Sequence, residues 1–486
     1  MQTYTGPLEK LDDYRWRLPR DAAGGMCAEG LVYADDELMA GIRADNALAQ
    51  VANVACLPGL VGPSMAMPDA HYGYGFPIGG VAAFDGERGI ISPGGVGYDI
   101  NCGVRLLRSD LTEADLGPHL ERLLTRLFSS VPSGVGSDKT APKLTLAELE
   151  KVLVQGSAWM RQQGLATDDD LDCTEERGTL AGADPSTLSD RARQRALPQL
   201  ISLGSGNHFL EVQAVDAIYD PVAAAAMGLH EPGQITVMIH CGSRGFGHQV
   251  CEDALDVMLA AARRYEITLP DRQLACAPVD SPEGRTYYAQ MACAANYAWA
   301  NRQGIMHRVR LVFEEVLGQS WGRLGLRLVY DVAHNIAKFE THEVGGQARK
   351  LCVHRKGATR AFGPGHADVP ARYRAVGQPV IVPGDMGTGS YLLVGTETAE
   401  RETWGSTCHG AGRRMSRHAA VRAQTGAQVF AEMAARGILL RASDKRTVAE
   451  ERPGAYKDVD RVVAVCHGAG ISRKVARLRP LAVMKG

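Results

Sequence analysis

Asp99 and Cys102 lie three residues apart in GYDINCG, between glycines. A carboxylate and a thiolate at that spacing can reach one cation, and the sulfur favours a borderline-soft divalent metal. Alone, the pair is a weak signal and reads more simply as a turn aspartate beside a buried cysteine. Three histidines add to it: His208 in GSGNHF, His240 in VMIHCGSRG and His334 in YDVAHN. Each ends a strand-like apolar run beside small or polar residues, where the rim of a sheet would present a ligand. Each taken singly is also an ordinary core histidine. Together the five side chains suffice for two metals if the sulfur bridges them. A two-metal centre suits phosphoryl chemistry, because it can clamp the oxygens of an in-line displacement.

His409 stands in a different setting, STCHGAGRRMSR. The glycines let successive backbone N–H groups form a concavity for an anion, and a neutral imidazole can attack phosphorus and leave again. The pentapeptide CHGAG recurs at 466–470, so His467 has the same local credentials and the residues by themselves do not choose. Lys485 is next to last in the chain. It is a frayed terminal lysine unless the apolar run Leu481–Met484 docks as a strand and fixes its ammonium on a phosphate.

The elements that must position these residues are read from pattern. Between 67 and 107, short β-type runs alternate with Gly/Pro turns. Residues 113–195 show helical Leu/Ala periodicity, and a long helical block is expected from about 251 to 317. Strand-like stretches return at 201–213, 235–250, 326–340, 351–362 and 379–395, and a helix is expected near 414–437. The interleaving lacks the βαβ rhythm of a doubly wound sheet. The expectation is α+β: one large domain over 1–486, β-sheets surrounding a two-metal cleft and packed by helices.

Composition narrows the class. The 486 residues are 45% hydrophobic and 22% charged, which is globular rather than disordered. The formal net charge of −2 offers no bulk attraction to nucleic acid, so contact with RNA would need local patches. Arg413, Arg414 and Arg417 form one candidate and Arg473, Lys474, Arg477 and Arg479 another, with a solvated helix face as the simpler reading of both. The 11 cysteines are irregularly spaced, and no secretory signal or membrane span is expected. A reduced, cytoplasmic protein follows. There is no P-loop, no Rossmann fingerprint and no KxDG lysine nucleophile, so nucleotide activation would take another route.

Six segments in order, MPDAHYGYGFPIGG, GGVGYDINCGVRLL, SLGSGNHFLEV, HCGSRGFGH, CHGAGRRMSR and the terminal VMKG, resemble the RtcB family of RNA-splicing ligases. The resemblance runs from about residue 60 to the end, and 178–200 look like the archaeal-type branch. It implies two Mn²⁺ ions, one on Asp99, Cys102 and His208, the other on Cys102, His240 and His334, with Cys102 bridging. It implies that His409 is the catalytic histidine that becomes guanylylated, since HGAGRxMSR follows only the first CHGAG. GTP as co-substrate would then contact Asn207, His208, Phe209, Leu210, Glu211, His334, Asn335, Pro383, Gly384, Asp385, Met386, Ser390, His409, Gly410, Ala411, Gly412 and Lys485. Asp385 departs from the family pattern, which usually places a small hydroxyl residue there.

The implied activity is RNA ligation of a 3'-phosphate or 2',3'-cyclic phosphate end to a 5'-hydroxyl end, in tRNA splicing or RNA repair. An archease-type activator is a candidate partner, and the oligomeric state is open, a monomer being the simplest case. Two rivals use the same ligands. A bimetal phosphoesterase would activate water and need no His409; an RNA-binding adaptor with a structural metal would close the coordination shell.

Overall fold

Residues 326–340 read in sequence as one strand-like stretch, but the chain passes from one sheet to another inside it. The strand Arg327–Ala333 belongs to an eight-stranded sheet and Asn335–Val344 to a seven-stranded one, with His334 at the crossing. This is seen in a computed structural model that describes residues 4–20, 25–134 and 143–486.

The eight-stranded sheet runs Arg327–Ala333, Gly103–Thr112, Gln234–Cys241, Phe209–Ile218, Arg473–Lys485, Ser390–Val394 and Pro379–Val382, and Leu439–Ala442 pairs in parallel with the end of Arg473–Lys485. Its Gln234–Cys241 strand is buried at every position. That fits its mainly apolar sequence, QITVMIHC, since a strand covered on both faces has no solvent side to alternate with. The seven-stranded sheet carries Leu60–His71, Ile78–Asp85, Gln347–Lys356 and Asn335–Val344 on one side and three short N-terminal strands on the other. With 39% helix and 27% strand in interleaved order, the fold is α+β, as expected.

The 36-residue helix Pro282–Leu317 packs against Gln234–Cys241 and buries Asn296, Asn301, Arg302 and Gln303. Buried polar groups on that face need partners: Asn296 bonds to Leu153 and Leu180, Asn301 to Ser202, Gln303 to Leu165 O, and Arg302 to the strand ends described below. The long helical block is in fact two helices, Arg244–Arg264 and Pro282–Leu317. Pro270, Pro278 and Pro282 crowd the interval, and Pro282 opens the second helix with Ser281 as its cap, Ser281 Oγ accepting from Gly284 N at 3.0 Å. The expected helical insert at 113–195 is six short α-helices rather than long ones, and its residues 135–142 lie outside the described residues.

The two CHGAG copies fold differently. The first leaves the strand Ser406–Cys408; the second ends the helix Val459–Gly468, where His467 is exposed.

Candidate functional site

Register brings the candidate metal ligands together. Ala333 pairs with Gly103, Gly103 with Cys241, and Phe209 with His240. Cys102, His208, His240 and His334 therefore stand at the same end of four neighbouring strands. Asp99 joins them from the turn just before Cys102, whose N–H donates to Asp99 O at 3.0 Å.

Their donor atoms converge. Cys102 Sγ lies 3.2 Å from His240 Nε2 and 3.4 Å from His208 Nε2. His208 Nε2 is 2.8 Å from Asp99 Oδ2, and His240 Nε2 is 3.3 Å from His334 Nε2. Two groups result, Cys102/His240/His334 and Asp99/Cys102/His208, each with donor atoms within 4.8 Å of one another and Cys102 common to both. Burial, reinforced by neighbouring cationic groups, holds His240 and His334 well below the ordinary imidazole value, so both are neutral with a lone pair to give. Burial and Asp99 push the Cys102 thiol up to about 12. A bound cation is what converts such a thiol to thiolate. The donor set fits a pair of divalent ions: nitrogen, sulfur and one carboxylate, in the arrangement expected.

Beneath the ligands, Arg302 clamps the strand ends. Its guanidinium meets Asp331 through two 2.8 Å bonds and donates to Asn101 O at 2.7 Å and Cys241 O at 2.9 Å. His208 Nδ1 lies 3.0 Å from Leu203 O, a contact that turns its Nε2 toward the metal site.

His409 faces this centre, its ring centroid 4.9 Å from that of His334. Asp69 holds it. Asp69 Oδ2 accepts from His409 Nδ1 at 2.6 Å, His409 N at 2.9 Å and Gly410 N at 3.3 Å. Burial opposes the Asp69 charge, yet His409 and its N–H hold the carboxyl below the usual carboxylate range. With Nδ1–H committed to Asp69, Nε2 keeps its lone pair. Gly412, at φ +72°, passes so close that an added Cβ would sit 2.2 Å from Asp69 O. Lys457 supports the same strand, donating to Pro68 O at 3.2 Å and Ala70 O at 2.5 Å.

Lys485 does not fray. It pairs with Phe209 as the last residue of Arg473–Lys485, is 4% exposed, and lies 5.6 Å above the Phe209 ring. Burial pushes the nearby Glu211 carboxyl up to about 8, with Gln213 and Lys485 pulling against it. A cleft of about 900 Å³ is lined by the candidate metal ligands, His409, Asn207, Phe209, Glu211, the 383–386 loop, 410–412 and Lys485. Leu210 and Ser390 lie behind this wall. Leu210 points to the core from the opposite face of its strand, while Ser390 Oγ accepts from Gly384 N at 3.1 Å and from Gln213. Asn335 lines the cleft but spends its side chain on Asp99 O at 3.1 Å and Gly357 N at 2.9 Å. Asp385 is also turned to local use, accepting from Gly387 N at 2.8 Å.

Of the basic residues, Arg413 and Arg417 line the cleft; Arg473 pairs with Asp220, Arg477 with Asp216 and Arg479 with Glu113. That second group lies on a strand, not a helix. Sequence reading missed Asp69, Lys457 and Glu451, the buried carboxylate paired with Arg413 at 3.0 Å. Only Asp69 carried a signal, a carboxylate inside MPDAH.

The family model described as tRNA-splicing ligase RtcB matches residues 50–486. Among similar proteins, the tRNA-splicing ligase RtcB of Archaeoglobus fulgidus is 56% identical over 481 residues, 99% of each chain. That of Thermococcus kodakarensis is 54% identical over 480 residues, again 99% of each. The RNA-splicing ligase RtcB of Mycobacterium bovis is 53% identical over 439 residues, 90% of this chain and all of its own.

Proposed function

The chain belongs to the RtcB family of tRNA-splicing ligases, and from that premise we propose a GTP- and Mn²⁺-dependent RNA ligase that joins 3'-phosphate or 2',3'-cyclic phosphate ends to 5'-hydroxyl ends. One observation supports the nucleophile: Asp69 accepts a hydrogen bond from Nδ1–H of His409 and leaves Nε2 open beside His334.

Asp99, Cys102 and His208 would hold one Mn²⁺ and Cys102, His240 and His334 the other. The ions would supply Lewis-acid polarisation and charge neutralisation at phosphoryl oxygens. His409 Nε2 attacks the α-phosphorus of GTP, forming a P–N bond as the bond to pyrophosphate breaks. Asp69 stabilises the imidazolium character that develops on the ring. Glu211 accepts from the N–H edge of guanine, and Lys485, held over Phe209, contributes a donor to the base. The RNA 3'-phosphate oxygen then displaces His409, giving an RNA-(3')pp(5')G end. The 5'-hydroxyl attacks the RNA phosphorus, GMP leaves, and the phosphodiester is made. Arg195, which makes no ion pair with any described residue, lines the same cleft and suits a backbone phosphate.

No helix among the described residues is long and apolar enough to cross a membrane. We place the protein in the cytoplasm, acting on tRNA halves or broken RNA, with an archease-type activator as a candidate partner.

The test uses an RNA labelled in its 3'-phosphate and a second RNA with a 5'-hydroxyl. Ligation moves the label into a phosphatase-resistant junction, dependent on GTP and Mn²⁺. A phosphoesterase would release it as inorganic phosphate without GTP, and that result would overturn the proposal.

A further inference from the structure

Tyr74, Tyr98 and His248 form a row of rings in the cleft beside Asp99. The Tyr74 and Tyr98 centroids are 5.5 Å apart, edge to face, and Tyr98 stacks on His248 at 5.5 Å with 29° between planes. All three line the cleft; the tyrosines are half-buried and His248 is exposed. No ring hydroxyl or nitrogen among them hydrogen-bonds to a described residue, so what they present is ring surface.

The row is held in place. Buried Lys356 donates to Tyr74 O, to Phe76 O at 3.2 Å and to Gly94 O at 3.1 Å, tying the loop of Tyr74 to the loop that leads into Tyr98. Gly75 N donates to Gln273 Oε1 at 3.0 Å, and a Cβ on Gly75 or on Gly94 would lie 2.4 or 2.5 Å from Gln273 O. Small residues and a buried lysine amine thus fix two loops close enough for their rings to meet.

Adjacency sets the order along the cleft. Tyr98 precedes Asp99, whose donor group shares Cys102 with the group beside His409. The guanine side is built from other elements, Glu211, Asp385 and Lys485. An RNA end whose phosphate lies at the Asp99/Cys102/His208 group has the Tyr98 ring next to it in the same cleft, within reach of its terminal base. At about 900 Å³ the cleft lies near the upper end for a small-molecule site and has room for more than one nucleotide.

We propose that Tyr98, flanked by Tyr74 and His248, is a stacking platform for the unpaired terminal nucleobase of an RNA end at the junction. This rests on the ligase reading above. Aromatic faces accept any base, so the platform would bind RNA ends without regard to sequence.

The test needs neither GTP nor joining. Unstructured RNA carries 2-aminopurine at a 3'-phosphate end, at a 5'-hydroxyl end or in its interior, and fluorescence is read on binding the full-length protein with Mn²⁺. The expected result is quenching at one or both ends beyond that in the interior. Tyr98→Phe should keep it. Tyr98→Ala should lose it and weaken binding about 5- to 150-fold, the ~1–3 kcal/mol of one base–aromatic stack. If Tyr98→Ala also loses Mn²⁺ uptake, His248→Ala decides in its place and should reduce the quench. Equal quenching at ends and interior, or quenching that survives both alanine variants, would overturn the platform. Failure of the ligase reading would show separately, as GTP that leaves no label on His409.

Discussion

Asp69 and His409 are 340 residues apart in sequence, and the carboxylate of one accepts both the ring N–H and the backbone N–H of the other, at 2.6 and 2.9 Å. The pairing does two things at once. It fixes the tautomer that leaves the Nε2 lone pair free, and it anchors the HGAG loop to the strand Leu60–His71.

Asp69→Asn keeps the shape and removes the acceptor charge. A carboxamide can donate to Nδ1 and favour the tautomer with its proton on Nε2. Guanylylation is expected to fall about a thousandfold or more, by analogy with amide replacement of a triad aspartate, while the melting temperature moves little. Initial rates of label transfer from GTP measure it, and an unchanged rate would contradict the role.

Cys102 is common to both donor groups, so Cys102→Ala should lower uptake from two Mn²⁺ per chain toward none. Asp99→Ala should leave one. Metal analysis after gel filtration gives both stoichiometries, and retention of one full equivalent by Cys102→Ala would exclude a bridging sulfur.

If Glu211 receives guanine as proposed, nucleotide binding is expected to be proton-linked. Its folded value of about 8 lies above the ordinary 4.5, so between those values the folded chain holds more protons than the unfolded one. Its contribution to stability is full below about 4.5 and is lost as pH rises through about 8. Guanine offers N–H donors and favours the carboxylate, so GTP binding at neutral pH should release a proton from Glu211. Calorimetry in two buffers of different ionisation heat reads that release, and Glu211→Gln should abolish it.

Arg302→Leu removes one cation from a fully buried cluster and leaves Asp331 with Arg105 alone. Breaking such a pair costs about 3–5 kcal/mol, expected as a lowered denaturation midpoint. The loss of Mn²⁺ binding should follow, because Asn101 and Cys241 lose their donor.

The ligands were legible one by one, because Cys102, His208, His240 and His334 each adjoin an apolar run that ends in small residues. Their convergence was not, since it depends on which strands pair and in what register. Asp69 escaped for the same reason: its partner is remote in sequence, and local pattern carries no trace of it. Lys485 was ambiguous until its strand was seen between Phe209–Ile218 and Leu439–Ala442, hydrogen-bonded on both sides. The twin CHGAG segments show the limit most plainly. The apolar spacing Val459, Val462, Val463, Cys466 builds a helix that the second copy ends, whereas the first follows a three-residue strand.

The central claim is that His409 carries the guanylate. Incubation with Mn²⁺ and GTP labelled on its α-phosphate, followed by denaturing electrophoresis, tests it directly. Label on the wild-type chain that is acid-labile, absent from His409→Ala and present on His467→Ala is the predicted result. An unlabelled wild type, or a His409→Ala chain labelled as strongly, would contradict it.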